Sequence, residues 1–129
     1  MQLTDSTFIV PGGGSGLGEA TVRLFRAGGA NVVIADINVE KSEALANELG
    51  ERVEFRKINV ADEAEAAAVV DLAASKFGGL QGLVNCAGIA IGEKVLGKNE
   101  APHRIDSFSR CISINLIGTF NMIRRHGEG

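Results

Sequence analysis

The chain contains no tyrosine and no tryptophan, and six phenylalanines are its only aromatic residues. No phenol is therefore present among these 129 residues to carry a proton. Cysteine is nearly as scarce. Cys86 and Cys111 sit in apolar stretches with no ligand-like spacing, which reads as two buried free thiols in a reducing compartment. The two histidines, His103 and His126, form no cluster with them, so no metal site is expected. No apolar run approaches the roughly 18 residues of a membrane span. Met1–Val10 carries Asp5 and no basic flank, unlike a signal peptide. These absences point to the cytoplasm, with the mitochondrial matrix left open. A net charge of -3 gives no electrostatic case for nucleic acid or an anionic membrane as partner.

The composition, 45% apolar and 22% charged, suits one folded domain with a single core. Along the chain, short β-branched runs alternate with helical periods. Thr7–Val10 reads as a strand that runs into the glycine-rich Gly12–Gly18. Leu17–Ala27 has helical spacing through Leu17, Ala20, Leu24 and Ala27, and Gly28-Gly29 stops it. Asn31–Ala35 reads as a second buried strand. Val39–Leu49 reads as a helix with Ala44, Leu45 and Leu49 on one face, ended by Gly50.

Arg52–Ile58 alternates as a third strand, and Asp62 is placed to cap a helix over Glu63–Phe77 that stops at Gly78-Gly79. Leu80–Asn85 reads as a fourth strand and Ile89–His103 as a long polar connection. A last helix is expected from about Asp106 to His126, with Phe108, Ile112, Leu116, Phe120 and Ile123 at helical spacing. This rhythm predicts an α/β fold: a Rossmann-type, doubly wound parallel sheet of about four strands in the order 3-2-1-4 with flanking helices.

The segment Gly12-Gly13-Gly14-Ser15-Gly16-Leu17-Gly18 joins the first strand to the first helix. Backbone N–H groups and a helix N-terminus meet there, which suits a pyrophosphate. The spacing is Gly-x-x-x-Gly-x-Gly at Gly12, Gly16 and Gly18, and Ser15 can add a hydroxyl donor. A purely structural turn would also carry such glycines. Asp36 directly follows the second strand, where a carboxylate can accept both ribose hydroxyls of an adenosine. The same charge repels a 2′-phosphate, which favours NAD over NADP. A solvated acid at a strand end is the plainer alternative.

Pro11–Gly18, Asp36, Asn59-Val60, Asn85-Cys86-Ala87-Gly88 and Asn115 occur in the order of a known motif set. The chain thereby resembles the short-chain dehydrogenase/reductase family over nearly its whole length, up to about Arg124, and matches the N-terminal half of that family's domain. Asn85–Ala90 and Asn115–Asn121 look most like the 3-hydroxyacyl-CoA dehydrogenase type II branch, whose members also oxidise hydroxysteroids.

The resemblance implies that Gly12, Ser15, Gly16, Leu17 and Gly18 surround the pyrophosphate and nicotinamide ribose of NAD. Asp36 would bind the adenosine ribose, and Asn59 and Val60 would border the adenine. Asn85, Cys86, Ala87 and Gly88 would line the floor, and Asn115 would help to hold a proton-relay water. Pro11 departs from the family's Thr and removes an N–H and a hydroxyl. Asn59 departs from the usual Asp but keeps an acceptor.

The family's reaction moves a hydride between a carbinol carbon and nicotinamide. It uses a Tyr-x-x-x-Lys pair, whose phenol must drop from a pKa of about 10, and a Ser. None of this set follows Asn121, so the chain reads as an NAD-binding Rossmann half-domain over residues 1–129, C-terminally incomplete and inactive alone. A secondary alcohol or ketone would be the small-molecule substrate of a full-length relative. The fourth strand would be left with an open edge and the last helix with exposed apolar surface, which implies a homo-oligomer. A non-catalytic nucleotide-binding or interaction module of natural short length is the alternative. A methyltransferase would share the loop and the acid but not the Asn85–Gly88 element.

Overall fold

The computed structural model describes residues 2–89, 96 and 102–126. Most of the expected Ile89–His103 connection and the Gly127 cap of the last helix lie outside the described residues. Four strands, β1 (Thr7–Pro11), β2 (Asn31–Asp36), β3 (Val53–Lys57) and β4 (Gly82–Leu83), form one parallel sheet in the order β3-β2-β1-β4. Helices α1 (Gly16–Ala27), α2 (Val39–Leu49) and α3 (Glu63–Phe77) connect them. After β4 come α4 (Ile105–Ile112), a π-helical turn (Ser113–Ile117) and α5 (Gly118–His126). This is the Rossmann-type architecture that the alternating pattern predicts.

The sheet is buried on both faces, which is why β2 is a continuous run of Val32, Val33, Ile34 and Ala35, all fully buried. Alternation sends Val10, Val32 and Ile34 to the side of α1 and α2, where Val22, Leu45 and Val53 complete one cluster. Ile9, Val33 and Ala35 face α3 and α5, joining Val60, Val69, Ala73 and Met122 in the other. Asn38 caps α2 by accepting from the Lys41 N–H (3.2 Å). Asp62 caps α3 as expected, accepting from the Glu65 N–H (2.8 Å).

Five local expectations are corrected. On α1 the stripe Leu17, Ala20, Leu24, Ala27 points to solvent, with Leu17 84% and Leu24 67% exposed. The buried face is Gly18 and Val22, followed by Phe25, whose ring packs on Phe8 with centroids 4.6 Å apart. The cause lies at the start of the helix. A side chain at Gly18 would overlap the Gly12 carbonyl, so this glycine is pressed onto the sheet side, and positions four and seven residues later follow it.

On α2 the buried residues are Ser42 and Leu45, while Ala44 is exposed. The cysteines are free, and both are half-buried rather than fully buried.

β4 is shorter than the expected Leu80–Asn85, and Pro11 is the reason that it ends before Val84. Val84 N–H donates to the Ile9 carbonyl (3.0 Å) and Cys86 N–H to the Pro11 carbonyl (2.8 Å). In such a parallel ladder the N–H of residue 11 answers the carbonyl of Val84 between them. Proline has no N–H, so the ladder stops after Leu83.

The last helix is not continuous. Its regular turns are interrupted by the π turn, and Phe108, Ile112, Leu116, Phe120 and Ile123 are exposed. The face laid on the rest of the fold carries Ser107, Gly118, Asn121 and Met122 instead. At Gly118 a Cβ would lie 2.5 Å from Val60 Cγ2, so only a glycine lets α5 approach this closely. At its far end Arg124 and Arg125 pair with Glu63 at 2.8 and 2.9 Å, tying α5 to the first turn of α3.

Candidate functional site

At the carboxyl ends of the strands lies a cleft of about 390 Å³. Gly12, Ser15, Gly16, Leu17 and Gly18 form one wall, Asp36, Asn59 and Val60 the next, and Cys86, Ala87 and Gly88 the floor. Eleven of the residues singled out in the sequence therefore meet in one place, though they span more than seventy positions of chain. A ligand in an open α/β sheet binds outside the carboxyl ends of the strands, where the connections leave the sheet in opposite directions. A broader depression of about 900 Å³ lies between α2 and β3, lined by Glu43, Glu51, Glu54 and Lys76 among others. Its carboxylates give an anionic ligand no purchase.

The loop is shaped by close backbone approach. Gly12 has φ 76°, and a Cβ there would lie 2.6 Å from Cys86 C and Ala87 N. The loop thus rests directly on the Asn85–Gly88 turn. At Gly16, by contrast, a Cβ would meet no atom within 4 Å, so the start of α1 lies open. Ser15 stands at the N-cap and makes no side-chain capping bond. The first N–H groups of α1 therefore lack the usual internal acceptor, which is the arrangement that receives a phosphate. The residues present fit a pyrophosphate-bearing ligand.

Asp36 is half-buried and both of its oxygens are engaged. Gly14 N–H donates to Oδ2 (2.9 Å) and Asn38 N–H to Oδ1 (2.9 Å). The acid so joins the glycine loop to the start of α2. On the opposite wall, Asn59 Oδ1 accepts from Ala61 N–H (3.0 Å), and Glu65 accepts from Asn59 N–H (2.9 Å).

Two predicted site residues do not line the cleft. Asn85 turns inward: Oδ1 accepts from Ala87 N–H (3.3 Å), while Nδ2 is buried without a partner among the described residues. Asn115, in the π turn, clamps the backbone of Ile89 from both sides. Its Oδ1 accepts from Ile89 N–H (2.8 Å) and its Nδ2 donates to the Ile89 carbonyl (2.7 Å). A π turn re-aims side chains relative to a regular helix, and this one sits at the residue that fixes the chain leaving the floor.

Sequence reasoning missed Ile37, Ile89, Arg110 and Ile114, which also border the cleft. It also missed the role of Asn121, whose buried Nδ2 donates to the carbonyls of Val60 (2.9 Å) and Asp62 (3.0 Å) and so holds the Val60 wall. Ile89 follows the Asn85–Gly88 element directly, a local cue; the contributions of α4, the π turn and α5 depend on how those helices dock, which carries no local signal.

A 3-2-1-4 parallel sheet with a glycine loop after β1 and an acid after β2 defines a Rossmann-type nucleotide-binding unit. The profile of the family described as short chain dehydrogenase matches residues 6–126. The chain belongs to the short-chain dehydrogenase/reductase family. It is 41% identical over 124 residues to 3-hydroxyacyl-CoA dehydrogenase type-2 of Drosophila melanogaster, covering 95% of this chain and 49% of that protein. It is 40% identical over 119 residues to 2,5-dichloro-2,5-cyclohexadiene-1,4-diol dehydrogenase of Sphingobium indicum, covering 92% and 46%. The crystal structure of 3-hydroxyacyl-CoA dehydrogenase type-2 from Mycobacterium avium superposes with a TM-score of 0.90 at 36% identity, over 99% of this chain and 51% of that one. The chain spans about half the length of the curated relatives it matches.

Proposed function

We propose that this chain is the NAD-binding part of an oxidoreductase that removes hydride from a secondary alcohol, with a 3-hydroxyacyl-CoA or a hydroxysteroid as the substrate class. The observation that carries the reading is Asp36, held at the mouth of the cleft beside an open helix N-terminus. The N–H groups of Gly16, Leu17 and Gly18, with the Ser15 hydroxyl, receive the pyrophosphate. Asp36 accepts from the adenosine ribose hydroxyls and repels a 2′-phosphate, so NAD is taken in preference to NADP. Asn59 and Val60 flank the adenine, and Cys86, Ala87 and Gly88 lie under the cofactor. When bound, the nicotinamide supplies the hydride-accepting carbon. Asn115 keeps Ile89 and the end of the floor in register and helps to hold the proton-relay water.

These 129 residues contain no tyrosine to take the alcohol proton. The chain alone therefore binds cofactor without turnover, and the same fact favours a second reading, a non-catalytic nucleotide-binding module. Fluorescence titration of the purified chain with NADH, and separately NADPH, tests both. Saturable NADH binding with much weaker NADPH binding is expected. Equal affinity for the two removes the role given to Asp36, and absence of binding removes the cofactor reading. NADH production from a secondary alcohol by this chain contradicts the claim of no turnover.

A further inference from the structure

The cleft holds an imbalance of charge that the motifs do not address. Among the described residues that line it, Asp36 is the one anion and Arg110 the one cation. Arg110 lies in the last turn of α4, is exposed, and forms no ion pair among the described residues. Its neighbourhood fixes where it stands. Cys111 Sγ approaches the Ile89 carbonyl at 3.8 Å, Asn115 grips the Ile89 backbone, and Ile114 packs on the cluster that contains Val60. Arg110 precedes Ile114 by one helical turn and so shares its face, over the mouth of the cleft.

We propose that Arg110 is a further cofactor-binding residue, supplying from the α4 side the full positive charge that a dinucleotide's phosphates meet. This rests on the dinucleotide reading of the cleft. The two walls then divide the work. The start of α1 offers directed N–H donors and a partial charge, which set the position of the pyrophosphate. Arg110 offers an exposed guanidinium with several donors and a whole charge, which raises affinity and capture rate.

The test compares the wild-type chain with Arg110→Gln and Arg110→Lys, each titrated with NADH, ADP and adenosine at low and at raised salt. Arg110→Gln is expected to weaken NADH and ADP by roughly fivefold, the range of an exposed charge acting on phosphate. Adenosine, which has no phosphate, keeps its affinity, and Arg110→Lys recovers most of the loss. Added salt weakens the wild type more than Arg110→Gln. Thermal midpoints without ligand stay equal, because Arg110 forms no ion pair among the described residues.

If Arg110→Gln binds NADH as the wild type does, with the same salt dependence, the proposal is overturned while the cofactor reading stands. Loss of adenosine affinity in step with NADH also overturns it, since the guanidinium would then be stacking on the base. If the wild type binds neither NADH nor ADP, the cofactor reading falls, and this proposal with it.

Discussion

Asp36 braces the glycine loop from the next strand, its Oδ2 accepting from the Gly14 N–H at 2.9 Å while its Oδ1 accepts from Asn38 N–H. One carboxylate thus holds the loop, starts α2 and faces the cleft. Asp36→Ala removes both acceptors and is expected to cost about 1–3 kcal/mol of stability, besides weakening NADH. Asp36→Asn keeps one acceptor and loses the charge, so it should cost less and narrow the preference for NADH over NADPH. Chemical denaturation and paired titrations read both effects; wild-type stability in Asp36→Ala removes the bracing role.

The same contact leaves no space beside Gly14. An added Cβ would lie 2.8 Å from Asp36 Oδ2 and would overlap Ser42 Oγ. Gly14→Ala should destabilise by about 1–3 kcal/mol through overpacking. Ser42 Oγ is buried without a partner among the described residues, so Ser42→Ala alone should leave stability unchanged or raise it by up to about 1 kcal/mol. Adding Ser42→Ala to Gly14→Ala should recover part of the loss. Independent, additive effects in the double-mutant cycle would show that the two positions do not share this space.

Pro11→Thr restores the N–H that the Val84 carbonyl lacks. The gain of a buried ladder bond outweighs the entropy that proline removes from the unfolded chain, giving about 1 kcal/mol of net stabilisation. Amide hydrogen exchange at Val84 and Cys86 should slow as the β1–β4 pairing lengthens. A lower denaturation midpoint in the variant would show that the strand end is adapted to proline.

The junction of α5 with α3 should weaken in acid. The Arg124 guanidinium bonded to Glu63, with Arg125 beside it, holds the Glu63 carboxyl below its usual range. A depressed folded value means that this contribution is fully present above the unfolded value of about 4.3 and is lost as pH falls through the lower, folded value. Glu63→Gln should therefore lower the thermal midpoint near neutrality, and its curve should rejoin the wild type in strong acid. The effect is small because the carboxyl is exposed, and salt reduces it further. A constant offset at every pH would assign it to something other than charge.

The apolar stripe of Phe108, Ile112, Leu116, Phe120 and Ile123 is expected to drive self-association. Analytical ultracentrifugation at rising concentration should show a dimer or larger species, and Leu116→Gln with Phe120→Gln should shift it toward monomer. A clean monomer at high micromolar concentration contradicts this.

Read alone, the sequence was enough for the order of elements, for Asp62 as a cap, and for bringing the glycine loop and Asp36 to one end of the sheet; Asn59-Val60 and Cys86–Gly88 were placed there by the family resemblance. These are local matters: a loop that needs glycine, a β-branched run, an acid at a strand end, and handed crossovers that allow few topologies. Contacts between distant segments decided the rest. The inward face of α1 follows from Gly18 meeting the Gly12 carbonyl, which the more regular stripe of Leu17 and Leu24 conceals. The length of β4 depends on a donor missing from β1, and the place of Arg110 beside the cleft on how Asn115 and Asn121 dock α4 and α5. Periodicity reports which residues can share a face; only the packed chain determines which face is buried and what it touches.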